Sequence, residues 1–291
     1  MCIIHPMSEE QTPKAPRSGS NYLTPMAILM AGILIAVAVV VKDNPQILGL
    51  KSPEPQTTET AVAQNPAPSA PKPLPALFAD VDLGTSAIEG NKDAPVTMVE
   101  VSDYECPYCK RHALTGAGPE IKSKYIDTGQ IKLAFINYPL SFHDPAATKE
   151  AETAECVRAQ GGDAAFFKFY TKLFETSAGN GAGIEDVKLY DLATQVGVNS
   201  TAVKSCVTAG TKKESVAEDL AKINTIDQNL RTQVADLIAK GEVDSSWADQ
   251  VGIGTPTFFV GKSSDTGTIK GEWISGAQPI SEFDKVIEKY L

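Results

Sequence analysis

Basic charge is scarce in this sequence. Against 36 Asp and Glu there are 26 Lys and Arg in 291 residues, a net charge of −10. A nucleic-acid binder needs a basic footprint, and none is present. A generally cationic surface for anionic lipid is excluded on the same ground. The five cysteines are too few for a disulfide scaffold. Histidine occurs three times, and no second Cys-x-x-Cys or His-x-x-x-His accompanies the single Cys-x-x-Cys. No internal repeat is visible. What is there is ordinary: 42% apolar and 21% charged residues, which excludes wholesale disorder and allows a sizeable core. The length suits about two domains.

Charge is missing altogether from Ser18 to Val41. The apolar heart, Met26 to Val41, has 16 residues, and adding Tyr22 to Pro25 gives a helix of roughly 30 Å, the thickness of a bilayer core. Residues 22–41 are therefore expected to form one N-terminal transmembrane helix after a short tail, 1–21. The rival is a cleaved signal peptide ending at Ala36-Val37-Ala38, but the segment stays apolar up to Lys42. Lys14 and Arg17 before the span balance Lys42 and Lys51 after it, so flanking charge does not orient it. Residues 42–79 hold eight prolines among Thr, Ala, Gln and Ser. That composition reads as a semi-rigid disordered linker.

The folded part is expected over 80–291. Residues 95–102 alternate and are β-branched, predicting a strand. A helix over about 107–127, kinked at Pro119, and a second strand over 130–138 complete a βαβ unit. From about 143 to 242 the pattern is helical, notably 164–176, 184–196 and 212–240. Short strands at 257–260 and 268–274 and an amphipathic helix over 280–290 close the chain.

Cys106-Pro107-Tyr108-Cys109 falls at the first strand-to-helix junction. There, unpaired N–H groups and the helix dipole favour an anion. A thiol near pKa 8.5 is only about 3% thiolate at pH 7, whereas one near 5 is about 99%. Cys106 is thus the expected attacking thiolate, and Cys109, one turn further in, the resolving thiol. The competing reading is half of a zinc site. His112 would extend it to Cys-x2-Cys-x2-His, but a structural zinc needs four ligands and no fourth is evident. No metal is expected.

The run from Glu100 to Cys109 resembles the active site of the DsbA-like branch of the thioredoxin superfamily. Gly254-Thr-Pro-Thr-Phe-Phe-Val260 is similar to that family's cis-proline loop, and Gly276 with the terminal helix to its closing pattern. The resemblance spans about 88–291. It implies an α/β thioredoxin fold with an inserted all-helical domain, a cis Pro256 facing the cysteines, and Thr255 offering backbone groups to an extended substrate. It also implies a buried carboxylate at Glu100 that moves protons to or from Cys109, although strand alternation alone would equally let Glu100 face solvent. Tyr108 would tune the thiolates and line the substrate surface. Histidine is common at that place among the family's strong oxidants, so this chain departs there.

Cys156 and Cys206 both fall in the helical stretch. Buried thiols are common and inert; a disulfide between the two is the favoured reading. Cys2 has no assigned role, and His143 is expected to be a loop or helix-start residue. Together these features predict a membrane-anchored thiol–disulfide oxidoreductase, single-pass, with its catalytic domain outside the cytoplasm and needing no cofactor. Its clients would be exported unfolded or reduced proteins. Its electron acceptor would be a quinone-linked membrane oxidase of the DsbB or vitamin-K-epoxide-reductase type. The alternatives are a reductase or isomerase on the same fold, or a non-catalytic, chaperone-like peptide holder.

Overall fold

The structure, a computed structural model, describes residues 72–291, which fall within the second of the chain's two compact units, residues 68–291. The expected tail, the expected anchor over 22–41, most of the expected linker and Cys2 lie outside the described residues. Among the described residues no helix is long and apolar enough to cross a membrane.

One six-stranded sheet organises the fold. Its strands are β1 (Phe78–Asp82), β2 (Ala87–Gly90), β3 (Val96–Ser102), β4 (Ile131–Asn137), β5 (Thr257–Lys262) and β6 (Thr268–Ser275), laid side by side in the order β1-β6-β5-β3-β4-β2. β3 runs parallel to β4, from Val96 opposite Ile131 to Ser102 opposite Asn137. Every other pairing is antiparallel. All seven residues of β3 are buried, as befits a central strand covered on both faces.

The edge strands are the elements that the sequence hides. β1 and β2 have five and four residues, too few for a period to show. Their pairing partners lie far along the chain, β1 on β6 and β2 on β4. β1 begins inside the segment expected to be linker, and Leu77 before it is already buried.

Seven helices are described. α1 (Pro107–Leu114) and α2 (Ala117–Ile121) take the place of the single helix expected over 107–127, followed by one π turn at Lys122–Ile126. The break falls at Gly116, and Pro119 lies harmlessly in the first turn of α2, where a missing N–H costs little. Close approach sets the break: a Cβ on Gly118 would stand 2.6 Å from the His112 carbonyl oxygen. α3 (Ala146–Thr176) is bent at Gly162, whose φ of 68° is non-helical. α4 (Asp186–Gln195) and α5 (Ser200–Thr208) follow. The Asn199 side chain caps α5, accepting from the Ala202 N–H at 3.1 Å.

α6 (Lys213–Ala239) corrects the expected extent of the helical insertion. It is not part of a separate helical body. Its Ile223, Ile226, Leu230 and Val234 pack on Val99, Val101, Ile136 and Phe259 on one face of the sheet. The insertion proper is α3 to α5. It shares the core on the other face with Val96, Met98 and Phe135, with α1, and with Phe283 and Ile287 of α7 (Ile280–Tyr290). A disulfide joins Cys156 of α3 to Cys206 of α5, with Cα atoms 6.0 Å apart.

Candidate functional site

The redox pair stands where β3 hands over to α1. Asp103 shapes that turn. Its carboxylate accepts from the N–H of Glu105 at 2.8 Å and of Leu140 at 2.9 Å, and it meets His143 Nδ1 at 2.7 Å. His143, expected at a loop or helix start, ends a 3-10 turn at Ser141–His143, is buried and helps to hold the turn. Cys106 is then the N-cap of α1 in extended conformation, with Pro107 at the first helical position. Both thiols are reduced. Cys106 is 4% exposed and Cys109 fully buried.

Three groups act on the Cys106 sulfur. The Cys109 thiol, Thr255 and the backbone N–H groups of Cys109 and Tyr108 outweigh burial and bring its pKa down to about 6, with the Cys109 thiol contributing most. This is a smaller drop than the value near 5 expected from sequence. At pH 7 it still leaves about 90% thiolate. Cys109 moves the opposite way: burial, then the neighbouring Cys106, push it well above the ordinary range. One sulfur is thus a ready nucleophile and the other a guarded thiol.

The peptide before Pro256 is cis. The loop brings Thr255 against the redox pair, its carbonyl oxygen 3.2 Å from Cys106 Sγ. The Pro256 carbonyl is occupied by the Gly276 N–H at 2.9 Å, which ties the loop to the end of β6. Tyr108 projects outward at 58% exposure, with the Arg111 guanidinium 5.2 Å from its ring centre. It is available to a partner surface beside Cys106.

Glu100 is buried and does not face solvent. On the pleat it shares a side with Met98, towards α1 and α3. Burial raises its pKa to about 7, with Ser102 and Tyr170 opposing and the charge of Glu89 adding to the rise. A carboxyl titrating there can hold or release a proton at neutral pH. His112 is buried on α1. It lies between Phe258 and Phe283, with ring centres 4.5 and 5.4 Å away, and burial lowers its pKa to about 4. Among the described residues no group of three or more His, Cys, Asp or Glu could hold a metal.

Several residues at the site carry no signal in the sequence. Tyr170 donates to Glu100 from α3. Glu105 is buried beside Cys106 and accepts from the Ser177 hydroxyl and the Gly183 N–H. Glu150 of α3 is buried as well, and burial together with the Glu105 charge raises its pKa to about 9. All of these pairings cross 70 residues or more, or join separate elements, so no local pattern announces them.

A paired thiol at a helix start, a cis-proline loop and a buried carboxyl on the central strand of such a sheet define a thioredoxin-type redox site. The chain belongs to the thioredoxin family, whose model, described as "Thioredoxin", matches residues 82–289. Disulfide bond formation protein D of Bacillus subtilis is 40% identical over 86 residues, 30% of this chain and 37% of that protein. A Na(+)/H(+) antiporter NhaA 1 of Mycobacterium sp. (strain KMS) is 27% identical over 207 residues, 70% of this chain and 28% of that protein. The matched stretches thus span well under half the length of these curated relatives. In fold, the chain resembles the oxidised BdbD of Bacillus subtilis, with a TM-score of 0.57 at 24% identity over 74% of this chain and 97% of that one. It also resembles alpha-DsbA1 of Wolbachia pipientis, with a TM-score of 0.51 at 21% identity over 71% of this chain and 90% of that one. The fold is therefore that of the DsbA-like proteins.

Proposed function

We propose that the protein is a membrane-anchored thiol–disulfide oxidoreductase that introduces disulfides into exported proteins. The observation that carries this reading is the opposed ionisation of Cys106 and Cys109 beside the cis-Pro256 loop. In the oxidised state a client thiolate attacks Cys106 Sγ. The client–Cys106 bond forms, the Cys106–Cys109 bond breaks, and the pair on that bond leaves on Cys109 as thiolate. Cys109 takes up a proton, and Glu100 is assigned as the acid that supplies it, both groups acting electrostatically on Tyr170. A second client thiolate then attacks the client sulfur of the mixed disulfide and expels Cys106 as a stabilised thiolate. The client loses two electrons and the cysteine pair gains them. No cofactor enters these steps.

Re-oxidation of the pair requires an acceptor, and a quinone-linked membrane oxidase of the DsbB or vitamin-K-epoxide-reductase type fits the electron count. The apolar segment 22–41 and the proline-rich stretch after it support a single-pass anchor and a catalytic domain outside the cytoplasm. The Cys156–Cys206 disulfide supports an oxidising compartment. The likeness to a disulfide bond formation protein of Bacillus subtilis supports the direction of electron flow. A non-catalytic peptide holder would have no use for a depressed Cys106 thiol.

The test is a glutathione redox titration of the domain. A Cys106 pKa of about 6 stabilises the reduced form at pH 7 by about 1.4 kcal/mol over an unperturbed thiol, or about 30 mV towards the oxidising side. The expected potential lies clearly above thioredoxin's value of about −270 mV. A potential at or below that value, with efficient reduction of insulin, makes the protein a reductase and ends this reading.

A further inference from the structure

We propose that Tyr170, on α3 of the helical insertion, is a positioning residue for thiol–disulfide exchange: its hydroxyl fixes the Glu100 carboxyl and stabilises its ionised form. The inference rests on the reading of Glu100 as the acid that serves Cys109.

The geometry is specific. The Tyr170 hydroxyl lies 3.2 Å from one Glu100 carboxyl oxygen and 3.3 Å from the other, so a single donor is shared across the whole carboxylate. The ring cannot swing away. It is wedged against Phe174 at 4.8 Å, Phe135 at 5.4 Å and Tyr104 at 6.3 Å between centres. Among the buried phenylalanines Phe166, Phe169 and Phe174 of the same helix, Tyr170 is the one aromatic ring with a hydroxyl, and that hydroxyl meets Glu100. Its own ionisation is suppressed by burial, then by the nearby charges of Glu100 and Cys109. It therefore acts as a donor throughout the working range, and it stands within electrostatic reach of both groups.

Ser102 of the same strand also lowers Glu100, ahead of Tyr170, but its hydroxyl makes no hydrogen bond among the described residues; the titratable and charged groups around Glu100 do not replace Tyr170 either. Tyr104 hydroxyl, buried in the turn after β3, has no hydrogen-bond partner. His112 of α1 is neutral above pH of about 4. Glu89 of β2 repels a charge on Glu100, and Lys122 is committed to Glu89 and Asp127 at 2.9 Å each. Cys109 remains a thiol. A cavity of about 190 Å³ lined by Glu100, Tyr170, His112, Glu89 and Lys122 adjoins the carboxyl. It has room for water and could exchange the proton of Glu100 with solvent.

Tyr170→Phe removes the donor and keeps the ring. The carboxyl resonance that disappears in Glu100→Gln identifies Glu100 in carbon-13-labelled protein. In Tyr170→Phe its titration midpoint should move upward by about one unit, a tenfold change in its dissociation constant. The pH profile for client attack on the oxidised protein should carry a limb from Glu100. That limb should move upward in Tyr170→Phe and vanish in Glu100→Gln, and adding Tyr170→Phe to Glu100→Gln should then change nothing further. A role confined to packing would alter melting temperature and leave both midpoints in place. An unchanged Glu100 midpoint in Tyr170→Phe overturns the proposal. A shifted midpoint with a profile indifferent to Glu100→Gln overturns instead the assignment of Glu100 as the acid, so the two failures are distinguishable.

Discussion

Cys106 and Cys109 are three residues apart, yet their environments drive them in opposite directions, one to a pKa of about 6 and the other far above neutrality. The difference comes from position on the helix. Cys106, at the start of α1, is met by the Cys109 thiol first, then by Thr255 and the helix N–H groups, while Cys109 is one turn in and surrounded by core. This asymmetry was legible in the sequence because a Cys-Pro-x-Cys at a strand-to-helix junction fixes both positions locally. The Glu100 carboxyl was legible as a candidate and its burial was not, since strand alternation leaves two faces open. Tyr170 was illegible, lying 70 residues beyond Glu100 on another element. On the reduced protein at pH 7, iodoacetamide should label Cys106 and leave Cys109 nearly untouched. Cys109→Ser should accumulate mixed disulfides on Cys106, and Cys106→Ser should form none. Faster labelling of Cys109 would refute the assignment.

At the scale of elements, what the sequence reveals depends on whether a pattern is long enough and what it packs against. β3 to β6 were legible from β-branched, apolar runs, and α7 from a clean stripe ending in buried Phe283, Val286 and Ile287. β1 and β2 exist because distant strands pair with them, and short edge strands carry little pattern of their own. α6 was visible as a helix but not as the cover of the sheet's second face, because periodicity tells that a helix has an apolar stripe and not where it goes. The insertion is stitched to itself by Cys156–Cys206, which closes a loop with a sequence separation of 50. The chain-entropy account of such a loop gives about 4 kcal/mol. For a domain of this size each kcal/mol moves the melting temperature by about 2–4 °C. The double variant Cys156→Ala/Cys206→Ala should therefore melt roughly 8–16 °C lower, while the midpoint of the Cys106–Cys109 glutathione titration stays in place. A variant that melts with the native protein would show that the disulfide contributes nothing to stability. A shifted redox midpoint would show that it is coupled to the active pair.

At the scale of the whole molecule, the described domain keeps several carboxyls away from water, and this makes its stability depend on pH in a definite direction. Burial raises Glu100 to about 7, Glu150 to about 9 and Asp219 to about 6. In the unfolded chain the same groups titrate near 4. Between about pH 4.5 and each folded value the native state therefore holds more protons than the unfolded one, and stability falls as pH rises. His112 runs the other way. Its folded value of about 4 lies below the ordinary 6.5, so its contribution grows as pH rises through that interval. Over pH 5 to 6 three carboxyls oppose one imidazole. Above 6.5 the imidazole has finished titrating, while Glu100 and then Glu150 continue; in the reduced protein the Cys106 thiol, lowered to about 6, opposes them up to about pH 8.5. Glu150 governs the carboxyls' alkaline end because it is buried and, second, because it faces Glu105, whose carboxyl is held by Ser177 and the Gly183 N–H. Glu150→Gln keeps the shape of the side chain and the acceptor for the Ile184 N–H, which reaches Glu150 at 3.1 Å. The variant should match the native protein near pH 4 and exceed it increasingly from there up to about pH 9, read as the urea midpoint of unfolding. If the two proteins lose stability in parallel across that range, Glu150 is not the group that limits the fold at alkaline pH.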